Sequence, residues 1–147
     1  MNITIKRCGV SDITDIENAI NFVKQEEDIS QYNNEAMRNF LNNKNNLFYV
    51  AKDMEKVIGY AIAYIQNRLD TTQNMICLYE IGTLKEYRHR GIAKSILKYI
   101  IDDESIHGVC KMWIPTNISN KAACALYKSI GAEESNEKDE IIFTYRY

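Results

Sequence analysis

A chain of 147 residues, 46% of them apolar and 26% charged, is long enough to bury one core and has the composition of an ordinary soluble globular domain. Its formal charge of −2 argues against a nucleic-acid partner, which calls for a basic surplus, and no apolar run approaches a membrane span. Cys8, Cys77, Cys110 and Cys124 form neither a C-x-x-C pair nor a zinc pattern, so reduced, mostly buried thiols, no metal and a cytoplasmic location are expected.

In chain order, Ile3 and Ile5 alternate with polar residues as a first strand. Ser11 or Asp12 then caps a helix in which Ile13, Ile16, Ile20 and Val23 recur at helical spacing. The acidic stretch Glu26-Glu27-Asp28 follows, and a short helix is expected over Asn34–Asn43, where Ala36, Met37, Phe40 and Leu41 share a face. Leu47–Lys52 and Val57–Ile65 read as a hairpin turning near Asp53–Lys56, and Met75–Leu84 as a further strand. Ile92–Ile101 is the strongest helical pattern, with Ile92, Ile96 and Ile100 along one stripe. Val109–Ile114 is a strand ended by Pro115, Ala122–Ile130 a helix stopped at Gly131, and Ile141–Tyr147 a last strand. No repeat or Gly/Pro-rich linker divides the chain, so one α/β domain over residues 1–147 is expected.

The strand-to-helix junction carries the clearest chemistry. The first N–H groups of a helix lack intrahelical acceptors and lie at the positive end of its dipole, which stabilises an anion by roughly 0.3–2 kcal/mol. Gly91 lets the backbone approach a bulky diphosphate, Ala93 keeps the next turn small, and Arg88, His89 and Arg90 add positive charge. The physics specifies a phosphate site without naming the ligand. A dinucleotide fingerprint, a Walker loop and a Gly-x-Ser-x-Gly elbow are all absent.

Here the sequence resembles the GNAT superfamily of N-acetyltransferases, in particular members acting on small amines and aminoglycosides. Arg88-His89-Arg90-Gly91-Ile92-Ala93 matches the family's Arg/Gln-x-x-Gly-x-Gly/Ala signature. Asn120-Lys121-Ala122-Ala123-Cys124-Ala125-Leu126-Tyr127-Lys128-Ser129-Ile130-Gly131 matches a second motif, Asn-x-x-Ala-x-x-Leu-Tyr-x-x-x-Gly, in which Ala132 replaces the usual following Phe. The resemblance implies a mixed, mostly antiparallel central sheet flanked by helices, with the fourth and fifth strands splayed to admit acetyl-coenzyme A. It implies that backbone amides of His89, Arg90, Gly91, Ile92, Ala93 and Lys94, beside Arg88, hold the pyrophosphate. Ile81 and Thr83 would pair with the pantetheine arm through main-chain groups, with Asn120 near it.

An alkylammonium of pKa about 10.4 is neutral in only about one part in a thousand near pH 7.4, a penalty of roughly 4 kcal/mol, so the amine must lose a proton before it attacks a thioester. By the same resemblance Glu80 is the expected base, a salt-bridged strand carboxylate being the competing reading. Tyr127 matches a tyrosine found near the thioester sulfur. A phenol near pKa 10 protonating a thiolate near 8.5 is uphill by roughly 2 kcal/mol, so a hydrogen bond that strengthens as charge grows on sulfur is the safer role. Direct attack needs no covalent intermediate, and nothing marks Cys77 as activated.

Glu26, Glu27 and Asp28 fall in the segment that borders the acceptor site in this family, and with Glu80 they would attract a cationic amine; a solvated loop is the plainer reading. Tyr32, Trp113, Tyr145 and Tyr147 would line a substrate pocket or pack in a core or dimer seam. The expected function is therefore acetyl transfer to a primary amine of a small cationic molecule. Acetylation of a protein N-terminus or lysine is the alternative within the enzyme class, and a non-catalytic acyl-CoA sensor the alternative outside it. Dimers are common in proteins of this resemblance, which makes a homodimer an expectation too.

Overall fold

Alternation at the N-terminus produces β1 (Ile3–Arg7), an edge of the sheet formed by the described residues of this computed structural model, which are 2–26, 33–134 and 146. Next to it lie β2 (Asn46–Asp53), β3 (Lys56–Gln66), β4 (Asn74–Thr83) and β5 (Val109–Trp113), in that spatial order. All neighbours are antiparallel except β4 and β5, which run parallel because the helix α3 (Ile92–Ile106) crosses between them. Three more helices are α1 (Ile13–Glu26), α2 (Asn34–Asn42) and α4 (Lys121–Ser129). The expected mixed α/β class and order of elements hold. The strand expected at Ile141–Tyr147 lies outside the described residues, Arg146 apart.

The sheet separates two cores. On one face Ile92, Ile96, Leu97 and Ile100 of α3 pack on Leu47, Tyr49, Ile58, Ile76 and Leu78, with Leu126, Tyr127 and Ile130 beside them. Each fully buried aliphatic side chain there contributes roughly 1.5–3 kcal/mol. Gly59 permits the close approach, since a Cβ at that position would lie 3.1 Å from both Ile92 and Ile96. On the other face Ile16 and Ala19 of α1 and Met37 of α2 cover Phe48, Val50, Val57 and Tyr60.

Three local expectations change. Asp12 does not cap α1; its carboxylate accepts from the Gly9 N–H at 2.9 Å, closing a single 3-10 turn over Val10–Asp12. The helix α3 runs to Ile106 instead of ending at Ile101, because Glu104 continues the inner stripe as a buried carboxylate. Burial of the thiols holds for Cys8 and Cys77 only, Cys110 being exposed and Cys124 half-buried; all four are free. No helix among the described residues is long and apolar enough to cross a membrane.

Candidate functional site

β5 pairs with β4 only from Asn74 to Cys77, which lies opposite Trp113. Beyond that point β4 continues for six residues, Leu78–Thr83, without β5 beside it. The two strands part there as expected. Leu84 N–H donates to Ile58 C=O at 2.9 Å, so the main chain at 82 and 84 faces β3. By the alternation of an antiparallel ladder, the N–H and C=O groups of Ile81 and Thr83 then face the parting. Thr83 C=O accepts from Arg88 Nε at 3.1 Å, and the buried Thr83 hydroxyl has no hydrogen-bond partner among the described residues.

The chain leaves β4 through a 3-10 turn at Lys85–Tyr87 and enters the motif. Arg88 is extended, His89 takes φ +60°, and Gly91, the N-cap of α3, takes φ +80°. The first helical bond of α3 is Ser95 N–H to Gly91 C=O at 2.9 Å, so the N–H groups of Ile92, Ala93 and Lys94 precede it and point out of the helix start. A Cβ at Gly91 would meet no heavy atom within 4 Å, so the space over the turn is open. The Arg90 guanidinium lies 5.4 Å from the Tyr87 ring centroid and brings positive charge to this turn, whereas the Lys56 ammonium, 5.3 Å from the same ring, is paired with Glu86 at 3.0 Å. The geometry fits a diphosphate.

Glu80 reaches its position through a β-bulge. Ile62 pairs with Glu80 but Ala63 pairs with Leu78, so Tyr79 is an extra residue in β4. Strict alternation would put Glu80 on the same side as Leu78, against α3. The bulge moves it to the α1/α2 side, where its carboxylate accepts a hydrogen bond from the Tyr60 hydroxyl. Tyr79, 65% exposed, shares that side and meets Tyr64 edge-on at 5.5 Å; Tyr64 in turn meets Phe40 at 5.9 Å.

Tyr127 lies on the opposite side of the sheet, packed against the α3 core. Glu80 and Tyr127 therefore lie on opposite sides of the sheet. Burial, and secondarily the neighbouring Cys124, push the Tyr127 phenol above its ordinary range, which makes it a weaker acid than a free tyrosine. Asn120 N-caps α4, its Oδ1 accepting from Ala123 N–H at 3.1 Å, which leaves the amide NH2 end for any ligand. Cys77 is buried on the Glu80 side, and burial raises its thiol, the opposite of activation. Trp113 is partly exposed at the end of β5 and donates to Gln66 Oε1 at 2.8 Å. Glu27, Asp28 and Tyr32, together with Tyr145 and Tyr147, lie outside the described residues.

Among the described residues Asp103, Glu104 and His107 bring one donor atom each within 4.8 Å of one another. Glu104 already pairs with Arg7 at 3.1 Å and accepts from the Tyr49 hydroxyl at 2.7 Å, and His107 Nδ1 faces the Asp103 carbonyl at 2.8 Å. A cation there would compete with the Arg7 guanidinium, and the cluster reads as a structural pairing of β1, β2 and α3. Sequence reasoning missed Tyr60 and Tyr79, because a tyrosine within a strand carries no mark that separates a core ring from one beside a carboxylate.

The acetyltransferase (GNAT) family matches residues 11–132 of the chain. The ribosomal protein bS18-alanine N-acetyltransferase of Escherichia coli K12 is 34% identical over 58 residues, 40% of this chain and 39% of that protein. L-2,4-diaminobutyric acid acetyltransferase of Halalkalibacterium halodurans is 29% identical over 92 residues, 63% of this chain and 47% of that protein. The matched stretches thus span less than half the length of either relative. In three dimensions the chain superposes on an aminoglycoside acetyltransferase from an uncultured soil metagenomic sample, solved in complex with sisomicin, with a TM-score of 0.88 at 18% identity, covering 99% of this chain and 96% of the other.

Proposed function

We propose that this chain, which belongs to the acetyltransferase (GNAT) family, moves an acetyl group from acetyl-coenzyme A directly onto the primary amine of a small cationic molecule. The observation that carries the reading is the stretch Leu78–Thr83 of β4, paired with β3 but left open along its β5 edge, which has Glu80 on it and the start of α3 beyond its end. In this reading residues 1–147 form one acetyltransferase domain. The amides of the 89–94 turn bind the pyrophosphate, and outward main-chain groups of Ile81 and Thr83 hold the pantetheine arm like an added strand. The amine approaches from the α1/α2 side, where Glu80 accepts its proton, directly or through a water. The freed lone pair attacks the thioester carbonyl, the C–S bond breaks, and the thiolate leaves toward the Tyr127 side. The raised pKa of Tyr127 favours a hydrogen bond to that sulfur over transfer of the phenolic proton.

A carboxylate beside an exposed tyrosine ring suits an ammonium group, through charge and cation–π attraction, and this favours a small cation such as a diamine or aminoglycoside. The match to a ribosomal-protein alanine N-acetyltransferase supports a second reading, transfer to the α-amine of an alanine-initiated protein. Thiol release from acetyl-coenzyme A, followed against diaminobutyrate, aminoglycosides, polyamines and an alanine-initiated peptide, separates the two. Turnover with the small cations is expected. Turnover with the peptide alone supports the second reading, and background release with every amine refutes both.

A further inference from the structure

We infer that Tyr60 is the positioning residue for the Glu80 carboxylate, holding one of its oxygens so that the other is presented to the incoming amine. The inference rests on the acetyl-transfer reading and on Glu80 as its base, and it names the group that aims that base.

The hydroxyl of Tyr60 donates to Glu80 Oε1, although the two residues are not directly opposite in the ladder: Tyr60 pairs with Gly82, and Glu80 with Ile62. The ring therefore leans along β4, across the position where residue 82 would carry a side chain. A Cβ on Gly82 would overlap Cε1 of that ring and lie 3.0 Å from its Cζ and 3.2 Å from its hydroxyl oxygen. The absence of a side chain at 82 is what gives Tyr60 its path to Glu80. Two further features fix the ring. It is 4% exposed, and it stacks on Phe48 at a centroid distance of 6.0 Å with planes 21° apart. A donor locked by packing restricts the carboxylate more than water would, since a water bound there turns freely. The bulge at Tyr79 and the glycine at 82 thus serve one arrangement: the first turns Glu80 to this side, and the second lets Tyr60 reach it.

The hydrogen bond has two effects with different signatures. Donation to a carboxylate favours its charged form, so removing the donor moves the acid limb of the kcat/KM profile to higher pH. A more basic carboxylate alone would speed proton abstraction at the plateau, whereas a carboxylate that has lost its orientation slows it. Tyr60→Phe keeps the ring, its stacking and its fit over Gly82. With the full chain, acetyl-coenzyme A and the amine that wild type acetylates best, we expect Tyr60→Phe to lower kcat roughly tenfold and move the acid limb to higher pH. The KM for acetyl-coenzyme A is expected to stay within about twofold, because the phosphate turn is untouched. Replacing Tyr60 with 3-fluorotyrosine makes the phenol a stronger donor and is expected to move the acid limb to lower pH, an opposite sign that a packing defect does not produce.

If Glu80→Gln loses transfer while Tyr60→Phe retains the wild-type kcat and acid limb, the inference is overturned and the assignment of the base stands. A wild-type profile in Glu80→Gln, or no amine-dependent thiol release by wild type, overturns the base or the transfer reading, and this inference with it. Should Tyr60→Phe fail to fold, judged by circular dichroism, the fluorotyrosine variant decides: an unmoved acid limb is the refuting result.

Discussion

At position 91 the backbone takes φ +80°, a conformation that glycine adopts freely and an L side chain only under strain. Since nothing lies within 4 Å of a Cβ built there, Gly91→Ala introduces no clash in the free protein, and its effect on stability is the conformational strain, about 1–2 kcal/mol. A fall in Tm of about 3–6 °C by calorimetry is expected. In the proposed function the methyl group would also stand over the amides assigned to the pyrophosphate, so affinity for coenzyme A should fall at least roughly tenfold, read by titration calorimetry. Unchanged affinity with a lowered Tm would mean that the glycine serves the turn alone. The sequence marked Gly91 by its spacing from Arg88 and Ala93, but it held no sign that His89 also takes a positive φ, of 60°. Histidine is one of the side chains that adopts positive φ more readily than most, but it does so too seldom to mark a turn in a sequence.

Elements were legible where their periods were regular, and the departures have identifiable causes. The stripe Ile92, Ile96, Ile100 extends to Glu104, yet Asp102-Asp103-Glu104 reads locally as a helix end. The compensating residues are far away in sequence: Arg7 on β1 and Tyr49 on β2 both bond to Glu104 Oε1. Asp103 and Glu104, with no basic residue in the last turn of α3, oppose the helix dipole, and Arg7 offsets this from the sheet edge. Burial, with Glu104 and Asp103 beside it, holds the Tyr49 phenol well above its ordinary range. Glu104→Ala removes the shared acceptor and opens a cavity; with Arg7 36% exposed and able to rehydrate, the expected loss is about 2–3 kcal/mol by urea denaturation. Glu104→Gln keeps an acceptor for Tyr49 and should lose about half as much. Equal losses in the two variants would show that the charge, not the packing, holds the helix end. The bulges escape the sequence for a related reason. A run such as Met75–Leu84 has the same composition with or without an extra residue, and the pairing that reveals Tyr79 belongs to β3.

At the scale of the whole molecule, the sequence specified the order of the described elements and the glycine-containing turn before α3, because both lie in contiguous residues. It left open which side of the sheet each functional group occupies, because that depends on bulges and long-range packing. The attachment of the two sides is partly ionic. Lys6 of β1 bonds Asp12 at 2.8 Å and Asp15 of α1 at 2.7 Å, and Lys52 of β2 reaches Asp15 at 3.0 Å, so α1 is fastened across two strands. The Gly9 N–H first, and then Lys6, hold Asp12 below its ordinary 3.8. For Asp15 burial acts upward, but the hydrogen bonds from Lys6 and Lys52 outweigh it and the net direction is also down. A carboxylate depressed in the native state contributes stability that is complete above its unfolded value and is lost as pH falls through the native one. The vulnerable window therefore lies below about pH 3.8. Lys6, raised by Asp12 and Asp15, adds a loss at the opposite end, above its ordinary 10.5. Across the neutral range the network is intact. Asp15→Asn removes the charge that both lysines share, and since Lys6 is 42% exposed and solvent-screened the expected loss at pH 7 is modest, about 1 kcal/mol. Measured by urea midpoints, the difference between Asp15→Asn and wild type should shrink as pH drops from about 5 toward about 2.5, with the loss falling below about pH 3.8 as the Asp15 carboxylate takes up its proton. A difference that stays constant over that range would show that Asp15 stabilises α1 through its shape and hydrogen bonds instead of its charge.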